Sequence, residues 1–183
     1  KAGYWTEFWL LNASKMGVPQ RRERVFFISI RKDIALEIPG NRQTLFSGMP
    51  YLDLEFNERP ITFKEATEKY WHIGKVYLPP YAAKLWPICR EGDSLATVHE
   101  KGQCFNSIKI AQNEPAPTLP ATMEMIFHPT IPRALNRKEV ETCFSWPHDY
   151  IHNSKYIMGM SVPPVMVAQI AYRIWEQWLS KID

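Results

Sequence analysis

Residues 17 to 33 (GVPQRRERVFFISIRKD) gather five cationic side chains, and two of them, Arg22 and Arg24, are separated by one residue. On an extended backbone that spacing turns both guanidiniums to one face. Side by side they repel each other unless an anion or a carbonyl oxygen lies between them. The guanidinium fork is also the side chain best shaped for phosphate and base oxygens. The chemistry open to such a pair is electrostatic: fork-like hydrogen bonds to an anionic or carbonyl oxygen. The plain alternative is a solvated charged turn. Cys89, Cys104 and Cys143 offer less. They form no CxxC pair and have no histidine at ligand spacing, so reduced, mostly buried thiols and no metal site are expected.

The arginines need a frame. Residues 4 to 11 carry bulky apolar groups on both alternating faces, the pattern of a strand covered on both sides. A turn with Asn12, Gly17 and Pro19 follows, then RVFFISI as a second strand, so a hairpin is expected with the arginines where the loop enters it. From Ile34 to about Pro129 prolines and short apolar runs dominate, as in an inserted lobe rich in loops. Within it TFKEATEKY has a capping box in Thr62 and Glu65, CFNSIKI reads as a strand, and NEPAPTLPATMEM as a proline-fixed loop. Asn136 and Glu139 should cap a further helix. Residues 163 to 179 form the clearest element, an amphipathic helix opened by Pro163 and Pro164.

The 183-residue chain has 45% hydrophobic and 22% charged residues, an ordinary globular balance, and its net charge of +3 only hints at an acidic partner. No apolar run approaches the roughly 20 residues of a membrane span, and no signal peptide is visible. The opening at Lys1, almost directly into an aromatic strand, suggests a fragment or one subunit of a split protein.

LNASKMGVPQRRERVFFISIR resembles the eighth conserved block of DNA cytosine-5 methyltransferases. HPTIPRALNRKEVETCFSWPHDY is similar to their ninth, with Arg133, Leu135, Glu139, Pro147 and Tyr150 at the patterned positions. YIMGMSVPPVMVAQIAYRI is similar to their tenth, and PAPTLPA to the Thr-Leu element of their target recognition domain. The four occur in the family's order across nearly the whole chain.

The resemblance implies a mixed α/β fold: the C-terminal part of a Rossmann-like methyltransferase that uses S-adenosylmethionine, with an inserted, mainly β recognition lobe. Late catalytic strands would occupy residues 1–33, the recognition domain and its connections 34–129, and the return to the catalytic domain 130–183. Arg24 would reach O2 of a flipped cytosine, and Arg22 would hold the catalytic loop and substrate site. Gln20 would lie on the same rim and touch DNA or that loop. Thr118 would bind a phosphate beside the target base; capping within a proline-rich loop is its neutral alternative. Arg133 and Glu139 would form a structural pair, and Ser161 and Val162 would lie on the cofactor side. The family's asparagine is replaced by Met160, which donates no hydrogen bond. His128, His148 and His152 read as satisfied loop residues.

The family's Pro-Cys-Gln and Glu-Asn-Val motifs and its glycine-rich cofactor loop are absent from the sequence. The chain alone is therefore expected to be inactive, with the main S-adenosylmethionine pocket in an N-terminal half encoded upstream or as a separate subunit. Duplex DNA and that half are the expected partners, in the cytoplasm and near the nucleoid of a bacterium or phage-infected cell. The stripe of Val167, Ile170, Ile174 and Trp178 should be partly uncovered and favour a homodimer. The alternatives are a non-catalytic DNA-binding or regulatory subunit derived from such an enzyme, and a relative acting on transfer RNA.

Overall fold

The computed structural model describes residues 3–39, 48–121, 123–150 and 155–182, so Lys1 and His152 lie outside the described residues. Strands β1 (Tyr4–Asn12) and β2 (Glu23–Arg31) form an antiparallel hairpin in which Leu11 faces Arg24 and Trp5 faces Ile30. Asn12 closes the strand and caps the short turn that follows, its side chain accepting from Ser14 N at 3.0 Å. Helix α1 (Lys32–Glu37) follows directly. Next come α2 (Phe63–Thr67), α3 (Pro80–Leu85), and the two-residue strands β3 (Ile108–Lys109) and β4 (Ile126–Phe127), which pair in parallel. Helices α4 (Arg137–Cys143), α5 (Lys155–Met160) and α6 (Pro164–Gln177) complete the chain.

Both expected capping boxes form. Thr62 Oγ1 accepts from Glu65 N while the Glu65 carboxylate accepts from Thr62 N, and Asn136 and Glu139 repeat the exchange. CFNSIKI is a strand only at its end. Cys104 takes φ 69°, left-handed backbone that no strand tolerates, and the residues after it form a turn.

Two large cores result. One joins the inner hairpin face to Met166, Ile170 and Trp178 of the C-terminal segment, with Ala35, Ile38, Met49, Leu52, Leu54 and Phe56 between them. Ala35, Ile38 and the apolar residues between Met49 and Phe56, expected with the inserted lobe, thus pack on the hairpin. The other core gathers Phe63, Ile110, Leu119, Ile126, Val140, Phe144 and Met158.

Two burial expectations change. The hairpin is covered on one face only: Phe8 and Phe27, a ring pair 6.1 Å apart on the other face, are 70% and 73% exposed, with Tyr4, Leu10 and Val25 beside them. On α6, Ile170 and Trp178 are buried by the chain's own hairpin layer and Ile174 packs against the same core, so of the four expected residues only Val167, 47% exposed, is open. The uncovered stripe is a different one, built from Val167, Tyr172, Trp175 and Leu179.

The stretch Tyr156–Lys181 is long and apolar enough by composition to cross a membrane, which the sequence reading had not allowed for. It is divided between Met160 and Pro164, and its second part contributes Met166, Ile170 and Trp178 to the hairpin core.

Candidate functional site

Burial alternates along the segment leading into β2. Arg22, Arg24, Phe26, Ile28 and Ile30 are buried or half-buried, whereas Arg21, Glu23, Val25, Phe27 and Ser29 are exposed. Arg22 and Arg24 therefore share the inward face, as their spacing requires. Their settings differ. Arg24 is half-buried, with one Nη donating to Glu23 O at 2.7 Å.

Arg22 is 1% exposed and donates to three carbonyls: Leu119 O at 3.2 Å, Gly159 O at 2.6 Å and Ser161 O at 3.0 Å. Its guanidinium also lies 5.2 Å from the centre of the Phe144 ring. Burial first, and then the charge of Arg24, pull Arg22 down to about 10. Carbonyl dipoles thus take the place of an anion around the Arg22 guanidinium. Arg22 is a clamp: one side chain holds the hairpin, the 115–121 segment and the α5 end together.

Two of these three segments also meet through the backbone. Arg21 N donates to Ala116 O at 2.7 Å and Ala116 N to Pro19 O at 3.0 Å, a parallel bridge that lays the proline-rich segment along the entry to β2. Thr118 is exposed on this junction, and its hydroxyl donates to Arg21 O at 2.7 Å. Its lone pairs still face out, but its proton is already used. Gln20 is not on the rim. It is fully buried, its Nε2 donating to Cys143 O at 3.1 Å, because the bridge to Ala116 draws its backbone inside.

A residue that sequence reasoning missed makes the clamp possible. A Cβ on Gly159 would come within 2.4 Å of Ala121 Cα and 2.7 Å of the Pro120 carbonyl carbon. Only glycine lets α5 press onto the 115–121 segment closely enough for Arg22 to reach both. The signal in the sequence is a lone glycine inside a helix, where it otherwise costs about 1 kcal/mol against alanine.

Ser161 Oγ donates to Met158 O at 2.8 Å and accepts from Trp146 Nε1 at 3.2 Å. Val162 packs against the hairpin core, and Met160 is exposed. Ser161 thus spends its hydroxyl inside the chain and Val162 has no polar side-chain atom, so these residues alone do not form a cradle for S-adenosylmethionine.

Arg133 and Glu139 meet in a buried bidentate pair, Nη1 to Oε2 at 2.8 Å and Nη2 to Oε1 at 2.6 Å. Arg133 also donates to Trp71 O and Ala134 O. His128 beside them accepts at Nδ1 from Thr130 N and Ile131 N. Burial, and after it Arg133, lower its pKa to about 3, so it stays neutral. His148 lies 2.7 Å from the Tyr70 hydroxyl and 3.1 Å from Glu141 Oε2. Burial pushes the Cys143 and Cys89 thiols up, and Cys104 is half-buried. Among the described residues no three His, Cys, Asp or Glu side chains are grouped to hold a metal ion.

Comparison with known proteins adds two findings. A family model described as C-5 cytosine-specific DNA methylase matches residues 1–176. A solved structure described as a DNA modification methyltransferase encoded within an E. coli prophage superposes with a TM-score of 0.63 at 18% identity, over 96% of this chain and 61% of its own. The likeness is one of mixed α/β fold, and this chain spans 61% of that one. No curated protein matches the sequence.

Proposed function

We propose, from the premise that this chain belongs to the C-5 cytosine-specific DNA methylase family, that it is the C-terminal portion of an enzyme that methylates C5 of a flipped cytosine in duplex DNA. It supplies DNA recognition and the arginine that contacts the base. An N-terminal half, joined or separate, brings the nucleophilic thiol and the main S-adenosylmethionine pocket. The setting is the cytoplasm of a bacterium or phage-infected cell, at the nucleoid. Residues 1–33 and 130–183 are catalytic-domain elements around a recognition domain at 34–129, with Ala35 to Phe56 as the connection that covers the hairpin.

The observation that carries this reading is the hairpin with one finished face and one bare apolar face. A strand pair with Phe8, Leu10, Val25 and Phe27 in water is half of a layered sheet. The thiols agree. Cys143 is fully buried, Cys89 is buried, and burial raises both pKa values; a nucleophilic cysteine needs the opposite shift.

In this assignment Arg24 donates to O2 of the cytosine, where negative charge grows as the ring is attacked at C6. A donor fixed before the reaction helps the transition state more than the ground state. Arg22, with three carbonyls on its guanidinium, fixes the segment from which Arg24 projects. Thr118 marks the neighbouring phosphate, and its hydroxyl would release Arg21 O to donate to it. Arg133 and Glu139 fasten the recognition domain to α4.

The test is to mix the chain with its N-terminal half and assay methyl transfer. Arg24→Ala should abolish most turnover while duplex binding weakens by only about 1–3 kcal/mol. Equal loss of both would reduce Arg24 to a phosphate contact, and binding without any methyl transfer by the wild-type mixture would favour a regulatory subunit.

A further inference from the structure

We propose that the turn at residues 103–106 and the hollow beside it read A·T base pairs flanking the target cytosine through the major groove. This rests on the DNA-recognition reading above, and adds to it the residues and the class of base.

Two adjoining hollows of about 390 and 250 Å³ share Asn106 and Met125 as a common wall. The smaller is lined by Thr118, whose hydroxyl bonds Arg21 O, so the depression begins at the edge of the arginine segment. The larger ends at Phe105, which is 71% exposed, with Tyr81 and Met125 also open to solvent. An exposed aromatic at the edge of the larger hollow is a projecting group with no role in either core.

The turn is rigid. Ser94 Oγ donates to Phe105 O at 2.8 Å and Cys104 O at 3.2 Å, Ser107 N donates to Cys104 O at 2.9 Å, and Leu95 N to Ser107 O at 2.7 Å. These bonds hold Cys104 at φ 69°, a conformation a side chain adopts only when its surroundings impose it. The backbone at Phe105 is thus held in place by these bonds, which reduces the loop entropy lost when it binds.

The chemistry of the lining selects the ligand. Neither hollow is lined by Asp, Glu, Lys or Arg, so both lack the cations that fork onto guanine. It offers the exposed amides of Gln103 and Asn106, for which no hydrogen-bond partner is found among the described residues. An amide matches adenine N6 and N7, and Phe105 or Met125 matches the thymine methyl.

The full chain is incubated with duplexes carrying a fixed C·G pair between randomised positions, and bound molecules are sequenced. A·T enrichment beside the fixed pair is expected. Asn106→Ala and Phe105→Ala, both exposed positions, should cut that enrichment about ten-fold while total duplex binding persists. Replacing thymine by uracil at the enriched position should weaken wild-type binding and leave Phe105→Ala unaffected. G·C enrichment, no preference, or an A·T preference unchanged in both variants overturns the base-reading turn and leaves the DNA-recognition reading standing. Failure to retain any duplex overturns both.

Discussion

Around Phe63 and Phe144 the chain closes over its apolar residues and even over the Arg133–Glu139 ion pair, with the Arg133 hydrogen bonds at 2.6–3.1 Å. Around the hairpin it covers one face with α6, Ala35, Ile38 and the apolar residues between Met49 and Phe56, and leaves Phe8 and Phe27 in solvent. A charge is the costliest group to bury and an aromatic ring the cheapest. The core around Phe63 and Phe144 is therefore closed by the chain itself, and the hairpin layer keeps one apolar face open.

The sharpest way to break that contrast is Glu139→Gln. It leaves the Arg133 guanidinium buried without its counter-charge and should cost about 3–5 kcal/mol in urea unfolding. Gly159→Ala should follow at about 1–3 kcal/mol, because its methyl group overlaps Ala121 backbone and forces Arg22 off the Gly159 carbonyl.

Acid offers a third handle on the same core. His128 drops from 6.5 to about 3 on folding, so between those values the unfolded chain holds a proton that the folded chain refuses. Stability should fall as pH drops from 6.5 towards 3. Glu141 adds a loss between 4.5 and about 2: burial pushes its pKa up, but hydrogen bonds from Arg137, His148 and Lys138 outweigh that and hold it low. Urea midpoints measured down this range should decline less steeply in His128→Gln than in the parent, and equal slopes would remove His128 from the account.

The smallest effect belongs to the bare face. Phe8→Thr with Phe27→Thr should change the stability of the chain alone by no more than about 0.5 kcal/mol. The same pair should weaken capture of the N-terminal half in a pull-down. A large loss of stability instead would mean that this face is already covered.

The elements governed by neighbours in sequence were legible. The hairpin, both capping boxes and the α6 helix depend on alternation, on an i to i+3 exchange and on proline at a helix start, all local signals. So was the shared face of Arg22 and Arg24. What failed depends on distant partners. Gln20 is buried because Cys143 O, 123 residues away, accepts from it. Arg22 reads as a surface cation until three carbonyls from beyond residue 118 surround it. Which apolar stripe of α6 faces inward was decided by a core shared with Ala35, Ile38, Met49, Leu52, Leu54 and Phe56, whose spacing in the sequence shows no period to read. The short helices α1, α3 and α5 were missed because one or two turns leave too few repeats to show a face.

The thiols carry a practical consequence. Cys89 and Cys143 are enclosed, whereas Cys104 is partly open and sits one position from Phe105. A maleimide fluorophore added to the native chain should couple there first, placing an optical reporter on the turn without engineering, and its emission should shift when a duplex arrives.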